Sequence, residues 1–325
     1  MEQIIANLKP LFTIALFCLL LSACSSTNLS GGGSSAKGDT VDLQGHRGAR
    51  GMRPENTIPA FQYCIEHNMT TIELDTNVTK DKQLIVCHDS VINSSLCLDE
   101  DGNPAKSVPI KELTVSEIKK LDCGAVKNDK FPEQVPVKNT RLVTLSEFFD
   151  FVKKYEQDHP EKQPPGFNIE TKFGKSHSKE EVLETAKIMV NTIETAGMVD
   201  RTTVQSLVIE ILPEIKKLNS KLKTSALFQP TRFQRIKMLL GLNANRSAII
   251  EKTTKADADI ISPYYLYVTP KFVAQCHEKK IEVLPWTVND EEKIVKLLNC
   301  GVDGIISDYP NKLYRVYIQW KDEQK

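Results

Sequence analysis

Four short stretches of the sequence carry acids, bases and cations at spacings that suit chemistry. HRGARGMRPENTIPAF holds His46 and Arg47, TIELDT holds Glu73 and Asp75, LIVCHD holds His88, and NIETK holds Glu170 and Lys172. Side chains two residues apart on a strand point to one face, so Glu73 and Asp75 share a side. On an exposed edge such a pair is simply solvated. Here Ile72 and Leu74 look buried, and two buried carboxylates are costly without compensation. A cation is the obvious partner, and oxygen ligation by Glu73, Asp75 and Glu170 selects a hard ion, Ca²⁺ or Mg²⁺, over zinc. Arg47 suits bidentate contact with a phosphate, and Lys172 a point-charge contact. Two histidines, His46 and His88, suit proton transfer in both directions at neutral pH. If all these groups reach one rim, the set reads as metal-assisted phosphodiester cleavage.

The elements that must carry them alternate. Strand candidates fall at 41–46, 71–76, 84–89, 166–170, 201–205, 223–228, 258–263, 282–288 and 304–308, mostly β-branched and short, as buried parallel strands are. Helices lie between most of them. Thr144 with Glu147, and Ser178 with Glu181, fit capping boxes. Thr269-Pro270 fits a cap followed by a first-turn proline. Gly124, Gly197 and Gly301 fit helix ends. Repeated β-then-α units imply a parallel sheet closed into a TIM-type (β/α)8 barrel. Residues 90–140 are polar and contain prolines, with one short helix near 114–121, and read as an insertion over one end. A two-residue turn at Asp81-Lys82 would make 71–76 and 84–89 a hairpin, set Asp75 opposite His88 and turn Cys87 away. Its return strand then counts as an excursion, leaving eight barrel strands. Gly48 and Gly51 allow a sharp turn after His46 and Arg47. Glu55 and Asn56 brace that loop, and a helix begins near Thr57.

Lys plus Arg equals Asp plus Glu at 42 each in 325 residues, so no overall basic field recruits nucleic acid. A hydrophobic share of 40% supports a sizeable core. Lys9, the apolar run 11–21 and Leu-Ser-Ala-Cys24 read as a signal peptide (1–23) ending in a lipobox-like site. Cys24 would carry the lipid. Residues 24–40 would form a flexible tether of about 20–25 Å, followed by the catalytic domain at 41–325. This places the protein in the cell envelope, anchored to a membrane on the periplasmic side or at the outer membrane. Six cysteines remain, and an oxidising compartment permits a disulfide. Cys97 and Cys123 are the first candidate pair. The cysteine spacings show no zinc pattern. The basic run Arg232, Arg235, Lys237 reads as a solvated helix face, or as a contact for an anionic substrate or lipid headgroup.

The succession HRG…PENT…AF, E-x-D, TKD, HD and E-x-K resembles the glycerophosphodiester phosphodiesterase family. Gln205-Ser206, Trp286-Thr-Val-Asn289 and Gly301-Val-Asp-Gly-Ile-Ile-Ser-Asp308 are similar to that family's later signatures. The resemblance spans about 41–310. It implies a TIM-type barrel with the site at the strands' C-terminal ends. It implies hydrolysis of glycerophosphodiesters to sn-glycerol 3-phosphate and an alcohol. It also implies His46 and His88 as the acid/base pair, Glu73, Asp75 and Glu170 as metal ligands, Arg47 and Lys172 as phosphate contacts, and Trp286 as an aromatic wall for the glycerol portion. Lys82 stands where that family usually has a turn glycine. Two other readings compete: a phospholipase-like enzyme acting on intact lipid, and a surface lipoprotein that binds a partner on a retired scaffold. No feature of the sequence bears on oligomeric state.

Overall fold

A computed structural model describes residues 41–174, 176–242 and 245–325. The expected signal peptide, lipid-bearing Cys24 and tether lie outside the described residues. The strands are β1 (Asp42–Gly45), β2 (Thr71–Val78), β3 (Leu84–Val86), β4 (Gly166–Thr171), β5 (Thr202–Ser206), β6 (Lys223–Phe228), β7 (Ile260–Pro263), β8 (Glu282–Val283) and β9 (Gly304–Ser307). The helices are α1 (Ile58–Glu66), α2 (Val115–Ile118), α3 (Leu145–Asp158), α4 (Lys179–Ala196), α5 (Ile211–Leu218), α6 (Arg232–Leu239), α7 (Arg246–Lys255), α8 (Pro270–His277), α9 (Glu291–Asn299) and α10 (Pro310–Glu323). Among the described residues, no helix is long and apolar enough to cross a membrane.

Eight strands run in the order β8-β7-β6-β5-β4-β2-β1-β9, each parallel to its neighbour. The ends meet. Asp303 N–H donates to Val283 O at 3.0 Å, Ile306 N–H to Pro285 O at 3.0 Å, and Val288 N–H to Ile306 O at 2.9 Å. The architecture is the expected TIM-type barrel, with β3 as the side excursion. Strand alternation sorts the side chains. Leu43, Ile72, Leu74, Ile169, Val204 and Ile261 are buried in the apolar core. Phe61, Phe148, Phe149 and Phe167 fill the space between α1, α3 and β4, with ring centroids 4.8–5.6 Å apart. The alternate positions, Gln44, Glu73, Asp75, Asn168, Glu170 and Gln205, are buried polar groups.

Both expected capping boxes form, on α3 and α4, and Thr269 caps α8. Thr57 stands at the N-cap position of α1. Gly197 and Gly301 adopt positive φ at helix ends. Gly124 does not end a helix. The short α2 stops at Ile118, and a Cβ on Gly124 would stand 2.4 Å from Val137 O, so close packing explains that glycine. Strand β8 is shorter than expected because Pro285 has no N–H to extend the ladder.

The hairpin register differs from the expectation by one residue. Thr76 pairs with Val86, Asn77 with Ile85 and Val78 with Leu84. The turn is a three-residue loop closed by Thr79 N–H to Gln83 O at 2.9 Å, and Lys82 takes the left-handed φ of 58° that a glycine would adopt freely. A one-residue shift exchanges the faces. Cys87 therefore lies beside Asn77, whose Nδ2 donates to its carbonyl at 2.8 Å, instead of turning away. His88 does not pair with Asp75; it follows the end of β3 and reaches the rim from a loop.

Residues 87–143 form the polar excursion between β3 and α3. Ile85, Ile92, Ala105, Ile110, Ile118 and Leu142 give it a small core, together with a Cys97–Cys123 disulfide. Its outer part clamps the loop after β1. Gln134 Nε2 donates to Arg50 O at 2.7 Å, and Val135 N–H to Met52 O at 3.0 Å.

Candidate active site

The strand register sets the site's carboxylates side by side. Asp75 pairs with Glu170 across β2 and β4, and Glu170 with Gln205 across β4 and β5. Oxygen atoms of Glu73, Asp75 and Glu170 lie within 4.8 Å of one another. Burial and the neighbouring Asp75 push the Glu73 pKa well above the usual carboxylate range. Burial also raises Glu170, only partly offset by Lys172. Burial works the same way on Asp75, but Lys172 and Arg47 outweigh it and hold that carboxyl well below the usual range. Lys172 Nζ spans Glu170 at 2.8 Å and Asp75 at 3.3 Å, and its pKa is raised because these acids outweigh its burial.

Asp75 Oδ1 is buried and accepts no hydrogen bond, since the approach of Lys172 lacks hydrogen-bond geometry. Its Oδ2 accepts from Asn56 Nδ2 at 2.9 Å. Gln205 Nε2 donates to Glu73 Oε1 at 2.8 Å, and the Arg47 N–H donates to Glu73 Oε2 at 2.8 Å. Three crowded carboxylates, one with an unpaired oxygen, fit a hard divalent cation.

Above them, His46 and His88 line a cavity of about 270 Å³ together with Arg47, Glu73, Glu170, Lys172, Gln205 and Trp286. His46 Nδ1 hydrogen-bonds Asp308 Oδ1 at 2.6 Å, and its Nε2 lies 3.9 Å from Glu73 Oε2. Burial drives the His46 pKa down from 6.5 to about 4 against the pull of Asp308. Burial would raise Asp308, but His46 and Arg50 hold it well below the usual range. A neutral imidazole thus donates its Nδ1 proton to an ionised carboxylate and keeps Nε2 as a base. Arg50 Nε donates to the same Asp308 oxygen at 2.7 Å, and Asn289 Nδ2 to Oδ2 at 2.6 Å. His88 Nδ1 hydrogen-bonds Asp89 Oδ1 at 2.8 Å, and Asn93 Nδ2 donates to Asp89 Oδ2 at 2.9 Å.

Arg47 sits at φ 50° and Gly48 at φ 77°. A Cβ on Gly48 would lie 2.8 Å from the backbone of Ala60, so only glycine fits between this turn and α1. Arg47 Nη1 donates to Glu55 Oε1 at 2.6 Å, giving Glu55 its bracing role. Trp286 Nε1 donates to Ser262 O at 2.8 Å, which fixes the indole in the cavity wall.

Every expected site residue of the barrel therefore lies in or directly beneath one cavity. Sequence reasoning missed the groups that orient them: Asp308 and Asn289 behind His46, Gln205 on Glu73 and Arg50 on Asp308. All four stood inside quoted stretches, but the partners of Asp308, Arg50 and Gln205 are far away in the chain. The remaining histidines do other work. His67 stacks on Tyr63, His159 on Tyr155, His177 lies against Phe173, and His277 pairs with Asp303.

Fold and cavity define a barrel enzyme with a strongly charged, phosphate-sized site at the C-terminal rim. The chain belongs to the Glycerophosphoryl diester phosphodiesterase family, whose profile matches residues 46–312. It is 30% identical over 270 residues to a glycerophosphodiester phosphodiesterase of Caldanaerobacter subterraneus subsp. tengcongensis, covering 82% of this chain and 94% of that one. A solved structure of a candidate glycerophosphoryl diester phosphodiesterase from Silicibacter pomeroyi superposes with a TM-score of 0.76 at 28% identity, over 86% of this chain and 94% of the other. An Oleispira antarctica phosphodiesterase, solved with its product sn-glycerol-3-phosphate, shares the fold with a TM-score of 0.65 at 21% identity, over 85% and 96% of the two chains.

Proposed function

We propose that this enzyme hydrolyses glycerophosphodiesters to sn-glycerol 3-phosphate and an alcohol, with a divalent cation held by Glu73, Asp75 and Glu170 and proton transfer by His46 and His88. The observation that carries this reading is the pairing of a base-ready His46 and a second histidine across one cavity floored by three carboxylates. Bound there, Ca²⁺ or Mg²⁺ supplies positive charge against the phosphate and the developing oxyanion.

The chain's own residues do the rest. Arg47 and Lys172 meet the phosphate's non-bridging oxygens. Trp286 offers an apolar wall to the glycerol carbons. His46 Nε2 takes the proton from the attacking hydroxyl, which belongs to water or to the substrate's own glycerol 2-hydroxyl. As the bond from phosphorus to the leaving oxygen breaks, His88 gives that oxygen a proton. With water as nucleophile the reaction ends there; with the 2-hydroxyl it leaves a cyclic phosphate, which water opens as His88 takes the water's proton and His46 returns one to the departing 2-oxygen. The opposite starting order, with His88 as base, fits the proton inventory too, but only His46 has a buried carboxylate fixing its tautomer. We further propose that Cys24 carries a lipid and that the barrel works on the envelope side of a membrane.

The test is release of sn-glycerol 3-phosphate from glycerophosphocholine by residues 41–325. Activity should vanish with EDTA and return with one of the two ions. A folded protein that releases nothing with either ion would refute the reading.

A further inference from the structure

Helix α6 has its faces reversed. A surface helix normally buries its apolar stripe and shows polar residues to solvent. Here Met238 points to the core, while Phe233, Ile236 and Leu240, spaced i, i+3, i+7, form one outward stripe at 65%, 48% and 68% exposure. Leu239 and Leu242 extend it at 72% and 53%. Among the described residues, half of the ten exposed large apolar side chains fall within 233–242.

The stripe is framed by cations. Arg232 and Lys237 flank it, and neither has a carboxylate partner among the described residues. The sequence has no Asp or Glu between 215 and 250, in a chain whose overall charge is zero. The helix also stands at the mouth of the site. It begins three residues after Gln229, which lines the catalytic cavity, as does the exposed Leu207. On its inner side Arg235 lies 4.7 Å over the Tyr264 ring, and Tyr264 meets Trp286 of the cavity wall edge-on at 6.3 Å.

We infer that residues 232–242 dock the barrel onto an anionic phospholipid bilayer, with the cavity mouth set at the lipid surface. An outward apolar stripe bordered by basic residues is the pattern of an interfacial helix, which sinks its apolar face among the acyl chains while its cations meet headgroup phosphates. A contact between two copies through the same patch would bring two basic surfaces together with no Asp or Glu between 215 and 250 to offset them, and like charges oppose that pairing. The inference goes beyond the proposed reaction and does not depend on it.

All nine strands and both apolar clusters lie within residues 41–325, which form one compact unit, so this fragment isolates the patch from the N-terminal segment. It should co-sediment with phosphatidylglycerol-rich vesicles and less with pure phosphatidylcholine. The triple variant Phe233→Ser, Leu239→Ser, Leu240→Ser should bind about tenfold more weakly or worse. Arg232→Gln with Lys237→Gln should lose about fivefold per charge on anionic vesicles and little on neutral ones. Both variants should keep the parent's circular dichroism spectrum and Tm, which shows them folded. Failure of the parent to sediment, or equal sedimentation of parent and variants, would overturn the inference. So would a parent that elutes as a dimer which the apolar variant dissolves, because the patch would then serve a second copy.

Discussion

At the scale of single residues, the feature that most shapes the chemistry is Asp308. It holds His46 Nδ1 at 2.6 Å while Arg50 and Asn289 hold it in turn. An asparagine there keeps the shape but can present an N–H to Nδ1 and so favour the wrong tautomer. Asp308→Asn should lower kcat about 10²–10⁴-fold with little change in KM and an unaltered circular dichroism spectrum; near-normal turnover would remove its orienting role. The same environment fixes a pH dependence. His46 is lowered from 6.5 to about 4, so its base form persists on acidification. The acid limb of kcat/KM should therefore lie well below 6.5, and a limb at the ordinary histidine value would contradict this assignment.

At the scale of elements, the excursion at 87–143 has an apolar cluster of its own, apart from the barrel core. Its core is small, and its disulfide closes a loop across a separation of 26 residues. A loop of that size is worth about 2–4 kcal/mol to the segment it closes. Cys97→Ser with Cys123→Ser should accelerate amide exchange across 92–123 while β2, β4 and β5 exchange as before. Unchanged exchange in the excursion would mean its apolar cluster suffices. Because Gln134 and Val135 bond the loop that follows His46 and Arg47, loosening this segment also loosens that loop.

At the scale of the whole molecule, the barrel concentrates like charge at one end. Glu73 and Glu170 are raised above 4.5 by burial, with Asp75 adding to the shift. Between the unfolded value and the raised folded one, the native state binds more protons than the unfolded chain, so stability of the metal-free protein falls as pH rises. A bound divalent cation relieves that repulsion and releases protons as it binds. The rise in Tm on adding Ca²⁺ or Mg²⁺ should thus be larger above neutral pH than near pH ~5. An equal rise at both would argue that the ion binds elsewhere.

The sequence by itself determined the alternation of strands and helices, the carboxylate pair on β2, the acid and lysine at the end of β4, and the histidine-arginine step after β1. These are readable because strand parity, capping hydroxyls and turn glycines are local, and each is set by a few neighbouring residues. The Cys97–Cys123 pair was also legible, since both flank one loop-rich stretch. The hairpin register was not, because the choice between a two- and a three-residue loop at 80–82 turns on whether Lys82 tolerates a left-handed backbone. Nor was the network behind the histidine. Asp308 and His46 are 262 residues apart, and closure of β9 onto β1 is what brings them together. The basic run and Leu239-Leu240 of α6 were visible as a candidate lipid contact, but only the tertiary packing shows that Phe233 and Ile236 join them outside while Met238 turns inward.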